Sequence, residues 1–145
     1  MISELYQEVI LDHSKRPRNF HQMADATSQV EGYNPLCGDK LRLFLKLEGD
    51  VIKDVSFIGA GCAISTASAS LMTESIKGKS RQEAAQLMDR FHDLLTTDKP
   101  PADNLGKLTV FSGVREFPVR VKCATLAWHT LISALTGTGE VVSTE

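Results

Sequence analysis

The sequence predicts an α+β fold, a small antiparallel three-stranded sheet with helices packed on one face. Three observations carry that expectation. Apolar residues recur at helical spacing near the start, at Leu5, Tyr6, Val9, Ile10 and His13, and near the end, from Val119 through Cys123, Leu126, Ala127, Thr130, Leu131, Ala134 and Leu135. Between them, Leu41, Leu43, Leu45 and Leu47 alternate with Lys40, Arg42 and Lys46, the period of a half-buried strand, and Phe44 is the one exception on the polar face. The turn chemistry of Glu48-Gly49-Asp50 then sends Val51–Ile58 back as the second arm of a hairpin.

The remaining elements follow in order. Ser3 is placed to cap the first helix and Arg16-Pro17-Arg18-Asn19 to end it. A weak strand signal spans Ala26 to Glu31, and Gly32-Tyr33-Asn34-Pro35 breaks it. From Ala63 to Met72 small residues run without a breaker until Gly78, which predicts a helix with Gly78 as its stop. Ser80 followed by Glu83 is a capping box that opens a further helix through Ala84, Leu87, Met88, Phe91, Leu94 and Leu95. Thr96 to Gly106, with Pro100-Pro101, reads as a loop. Pro118 suits the first turn of the last helix and Gly137 its end.

At 145 residues the chain fits one domain, residues 1–145, with a core that needs no disulfides. Hydrophobic residues at 42% and charged residues at 23% place it among globular proteins rather than disordered ones. A net charge of -2 supplies no general field for nucleic acid or an anionic membrane. The start has no basic region leading into an apolar run, and no stretch approaches the roughly 18 apolar residues of a membrane span, so the expected location is cytoplasmic.

The chemistry sits at three cysteines. Their separations, 25 (62 minus 37) and 61 (123 minus 62), and their odd number form no closed disulfide framework, which leaves reduced thiols or metal ligands. Cys37-Gly38-Asp39 sets a thiol and a carboxylate two residues apart at the mouth of a strand, where both side chains point to one face, and Gly38 between them offers no obstruction. Gly59-Ala60-Gly61-Cys62 lets the backbone turn sharply and lands Cys62 at a helix N-terminus, where the partial positive charge lowers a thiol's pKa. Arg120-Val121-Lys122-Cys123 sets two cations beside the third thiol, favouring thiolate.

Each motif alone has an ordinary reading: a tight turn for the first, a buried packing thiol for the second, a core-facing thiol with solvated basic neighbours for the third. Convergence of all three favours a site. Three thiolates and a carboxylate, Cys37, Asp39, Cys62 and Cys123, make a mostly sulfur, four-coordinate shell that suits zinc and equally a two-iron cluster. Four anionic ligands around Zn²⁺ carry a formal charge of about -2, which Arg120, Lys122 and backbone N–H groups near Gly61 offset in part. Asp39, the oxygen ligand, is the labile corner. His13, His21, His92 and His129 show no pairing at ligand spacing, and Trp128 and Phe91 read as core.

With these residues the chain resembles the IscU/NifU-type iron-sulfur cluster assembly proteins, and within them the SufU branch. The resemblance rests on Leu5-Tyr6 through Ile10-Leu11-Asp12-His13, Pro17-Arg18-Asn19, Asn34-Pro35-Leu36-Cys37-Gly38-Asp39, Gly59-Ala60-Gly61-Cys62-Ala63-Ile64-Ser65 and Arg120-Val121-Lys122-Cys123, covering nearly the whole chain. Lys122 stands where the scaffold pattern has a histidine, Glu116-Phe117 replaces the leading residues of the chaperone-recognition stretch, and the long interval from Cys62 to Cys123 is similar to the insertion typical of SufU. The resemblance implies a SufE/IscU-like fold and a zinc protein, with Cys37, Asp39, Cys62 and Cys123 as ligands. Such a protein docks on a SufS-like cysteine desulfurase, accepts persulfide sulfur, with Cys37 as the acceptor thiol, and passes it to downstream iron-sulfur assembly machinery. The alternatives are a scaffold for a transient [2Fe-2S] cluster, a single-cysteine hydrolase or peroxidase, and a structural metal-binding adaptor.

Overall fold

The computed structural model describes residues 4–35, 38–97, 105–136 and 142–143. Ser3, Cys37, Pro100-Pro101 and Gly137, each assigned a role from the sequence, lie outside them. The described elements run α1 (Glu4–Lys15), β1 (Ser28–Asn34), β2 (Asp39–Glu48), β3 (Val51–Ala60), α2 (Ala63–Ile76), α3 (Arg81–Thr96), a 3₁₀ segment (Gly106–Glu116), α4 (Pro118–Thr136) and β4 (Val142–Ser143).

The expected three-stranded antiparallel meander is present, with β2 in the centre between β1 and β3. One strand was not anticipated: β4 pairs in parallel with β1 at Gly32 and Tyr33, giving the order β3-β2-β1-β4. The alternation in β2 is realised as read, with Leu41, Leu43 and Leu45 buried in the core alongside Val30 of β1 and Val55 and Phe57 of β3. Phe44, the exception on the polar face, is buried on the outer side of the sheet. The connection from α1 to β1 is hydrogen-bonded to the sheet at two places. That segment starts at the β3 edge, where Asn19 C=O accepts from Phe57 N–H, and ends at β2, where Thr27 N–H donates to Leu45 C=O and Lys46 pairs with Asp25. Met23 is buried along the way.

Two glycines correct the expected strand ends. Gly32 does not break β1, which continues to Asn34; it makes room for α4, because a Cβ there would lie 2.2 Å from Thr130 Oγ1. Gly59 likewise stays within β3, paired with Leu41, where a Cβ would meet Lys40 C=O at 2.2 Å.

Two helix ends form for the expected reasons. Ser80 and Glu83 close a full capping box on α3, and Gly78 follows α2 at φ +84°, a conformation suited to glycine. The small residues of α2 let neighbouring elements approach closely. Ser68 Oγ donates to Ala124 C=O at 2.5 Å and accepts from Trp128 Nε1 at 3.2 Å, tying α2 to α4. On the other side, Ser70 Oγ lies 2.7 Å from His13 Nδ1 and accepts Arg18 N–H, tying α2 to α1. Burial, with Arg18 adding to it, pushes the His13 pKa below the ordinary histidine value, so the ring favours its neutral form there.

Trp128 and Phe91 are core, as read: both are fully buried and their rings stack with centroids 4.7 Å apart. The 3₁₀ segment was not read from the sequence. Its buried Leu108, Phe111 and Val114 recur every three residues, the period at which 3₁₀ side chains eclipse, and Phe111 meets Phe91 edge to face.

Candidate metal centre

The sheet and two helices bring their ends together at one place. Asp39 opens β2, Cys62 is the N-cap of α2, and Cys123 lies in the second turn of α4. One potential ligand atom from each, two sulfurs and a carboxylate oxygen, all lie within 4.8 Å of one another. Tetrahedral ligands about 2.0–2.3 Å from a shared zinc ion stand about 3.3–3.8 Å apart, so donors within 4.8 Å of one another need to close by at most about 1.5 Å to share an ion. The donor set and its spread therefore fit zinc. Among the described residues this is the one group of three or more Cys, His, Asp or Glu side chains so clustered. Cys37, the fourth member expected from the sequence, lies outside the described residues.

Asp39 is fully buried, and a buried carboxylate is tolerated only with partners. It has them: Oδ1 accepts from Cys62 N–H at 2.9 Å and Oδ2 from Asn34 Nδ2 at 3.4 Å. Asn34 also donates to Cys123 Sγ at 3.5 Å and is itself fully buried. Sequence reasoning used Asn34 only as part of a breaker. The missed signal is the period-two run Val30, Gly32, Asn34, which puts its side chain on the inner face of β1, beside Asp39 in the ladder.

Cys62 departs from expectation. The helix-terminus effect exists, since Ser65 N–H donates to Cys62 Sγ at 3.4 Å. Burial is the larger influence, however, and with Asp39 nearby the thiol pKa is raised, not lowered. In the metal-free arrangement Cys62 is thus held toward its protonated form, and a cation is what reverses that balance.

The supporting residues sort out as follows. Gly61 is required by close approach: a Cβ would stand 2.5 Å from Asp39 Oδ1. We expect Gly61→Ala to displace that carboxylate, destabilise the metal-free protein by about 1–3 kcal/mol in urea titration, and weaken zinc binding in chelator competition. Unchanged stability and affinity would show that Asp39 does not depend on this contact. Gly38 also needs its freedom in the backbone. A Cβ there would touch nothing within 4 Å, but its φ of +69° is a left-handed conformation. Arg120 is exposed, lies over the Phe117 ring at 4.7 Å, and lines the same cleft as Cys62 and Cys123. Lys122 is half-buried and stands outside that lining.

That cleft, about 550 Å³, has the two thiols on its surface and is walled by Ile10 and Leu11 of α1, Ile64 of α2 and Val119 of α4. Leu11 and Val119 are half exposed, so the thiols are reached through an apolar rim. A second groove of about 640 Å³, on the outer sheet face between Tyr33, Lys40, Arg42 and Ile58, is lined by no thiol among the described residues.

Comparison with known proteins agrees with this arrangement. Residues 5–124 match the family described as NifU-like N terminal domain. The Streptococcus pyogenes protein named iron-sulfur cluster assembly scaffold protein IscU is 44% identical over 135 residues, 92% of this chain and 84% of that one. The Bacillus subtilis zinc-dependent sulfurtransferase SufU is 44% identical over 131 residues, 90% of this chain and 88% of its own. The structure of a Fervidobacterium islandicum SufU, named as an iron-sulfur cluster assembly scaffold protein for the SUF system, has a TM-score of 0.84 at 41% identity, covering 88% of this chain and 94% of that one. The same α+β architecture recurs in it. By its sequence and its fold, this chain belongs to the NifU-like N-terminal domain family.

Proposed function

We propose that the chain, as one IscU/SufU-like domain over 1–145, works in iron-sulfur cluster biogenesis as a zinc-dependent sulfur acceptor. It receives persulfide sulfur from a cysteine desulfurase and passes it on to the assembly machinery, in the cytoplasm. The observation that carries this reading is the convergence of Asp39, Cys62 and Cys123 at a cleft open to solvent. A purely structural zinc site is normally closed by Cys or His in paired spacing, which this chain lacks. Similarity to the B. subtilis zinc-dependent sulfurtransferase supports the same choice. Among the described residues no helix is long and apolar enough to cross a membrane, in keeping with a partner met in solution.

The ligands would be Cys37, Asp39, Cys62 and Cys123. When bound, zinc keeps the coordinated thiols deprotonated at neutral pH. If zinc were held, Asp39 would be the ligand a partner group displaces most easily, because oxygen competes poorly with thiolate for a soft site. The acceptor thiolate, assigned to Cys37, attacks the outer sulfur of the donor's Cys–S–SH. A new S–S bond forms, the donor's S–S bond breaks, the donor cysteine leaves as thiolate, and the persulfide proton travels with the transferred sulfur.

Cys37→Ala is expected to lose both stimulation of the desulfurase and acquisition of sulfur in a reconstituted assay. A variant that retains both sinks the assignment. The second reading, a scaffold for a transient [2Fe-2S] cluster, is favoured by the S. pyogenes relative, which bears the scaffold name at the same identity. Metal analysis of anaerobically purified protein separates the two: one zinc without iron supports transfer, whereas iron and sulfide that can be handed to an acceptor support the scaffold.

A further inference from the structure

Asn34 donates from one neutral side chain to two of the candidate ligands. It closes β1 directly opposite Asp39. Its Nδ2 reaches Asp39 Oδ2 at 3.4 Å and Cys123 Sγ at 3.5 Å, so each of the two amide hydrogens has an acceptor on a different element, one on β2 and one on α4. The side chain is fully buried. Its orientation follows from charge, because the flipped amide would present its oxygen to the Asp39 carboxylate.

We propose that Asn34 is a positioning residue that sets how tightly the site holds its metal, by bridging Asp39 and Cys123 with a single amide. The inference rests on the metal reading above. Two anionic ligands from separate elements repel each other, and a neutral donor placed between them offsets that repulsion without adding a competing ligand. The N–H bond to Cys123 Sγ draws charge from the sulfur when it coordinates, moderating the excess negative charge of the site. The bond to Asp39 Oδ2, opposite the Cys62 N–H on Oδ1, keeps the carboxylate aimed at the centre whether or not it is coordinated. An amide therefore lets Asp39 act as a displaceable ligand that returns to the same place.

The test is zinc competition against a chromophoric chelator with the full chain, wild type and Asn34→Leu, which keeps the approximate volume and removes both donors. Zinc affinity is expected to fall about 10- to 100-fold, the usual cost of losing a partner that orients metal ligands. In the cobalt-substituted proteins, the thiolate-to-cobalt charge-transfer band is expected at lower energy in Asn34→Leu, because a sulfur relieved of its hydrogen bond donates more strongly. A purely structural role would leave that band in place. Affinity within twofold of wild type with an unmoved band overturns the proposal. Should Asn34→Leu not fold, the wild-type protein decides by itself: the Asn34 side-chain amide proton resonances are expected to shift on zinc loading, and unchanged resonances overturn the proposal. If wild type takes up no zinc, the metal reading falls together with this inference; if only the Asn34 results fail, the inference falls alone.

Discussion

Stripping zinc from the protein with a chelator is expected to lower its melting temperature by about 8–16 °C. A ligand present at about 1,000 times its dissociation constant stabilises the folded state by about 4.1 kcal/mol. Each kcal/mol moves the transition of a domain of about this size by roughly 2–4 °C. The effect is concentrated at the junction where β2, α2 and α4 converge, with a fully buried Asp39 and a buried Cys123 at its centre. Without a cation, Cys62 is pushed toward its protonated form by burial and by Asp39, so the metal-free site resists the ionised state that a cation favours. Calorimetry of the loaded, stripped and reloaded protein checks this. A melting temperature indifferent to zinc would mean that the cluster does not hold the ion in the folded state.

Trp128→Ala should be the most damaging single replacement outside the site, costing about 3–5 kcal/mol. Trp128 is fully buried and stacked on Phe91, so truncation leaves a large cavity that the surrounding helices fill only in part. It also removes the indole N–H from Ser68 Oγ, the hydroxyl that binds Ala124 C=O. That chain of contacts joins α2 to α4, the helices that present Cys62 and Cys123, and zinc affinity is expected to fall along with stability. Urea unfolding of the metal-free protein measures the first effect and chelator competition the second. Trp128→Phe separates cavity from hydrogen bond, since it keeps an aromatic ring against Phe91 and loses only part of the volume. A loss below 1 kcal/mol for Trp128→Ala would contradict the packing described here.

Local chemistry was legible in the sequence wherever neighbours in the chain decide the outcome. The alternation of Leu41, Leu43 and Leu45 with charged residues predicts the central strand because side chains on a strand point alternately to two faces. Ser80 and Glu83 predict a helix start because the capping box closes within four residues. The candidate ligands were legible for the same reason, each flanked by glycine, a helix start or cations. Gly32 and Gly59 misled because the reason for each lies across the fold: one accommodates Thr130 of α4 and the other the backbone of β2. The 3₁₀ segment was missed because a three-residue period is too short-lived a signal in the sequence that follows Pro100-Pro101.

By itself, then, the sequence determined the α+β class, the order of the main elements, and which side chains have the chemistry to bind a soft metal. Tertiary structure alone decided that Asp39, Cys62 and Cys123 meet within 4.8 Å, that Asn34 bridges two of them, and that Cys62 is held toward its protonated form. The reason is physical. Periodicity and capping depend on residues within a few positions of each other, whereas a donor set drawn from β2, α2 and α4 exists only once those elements pack. Desolvation, which governs the Cys62 thiol, is likewise a property of the packed chain and of no segment within it.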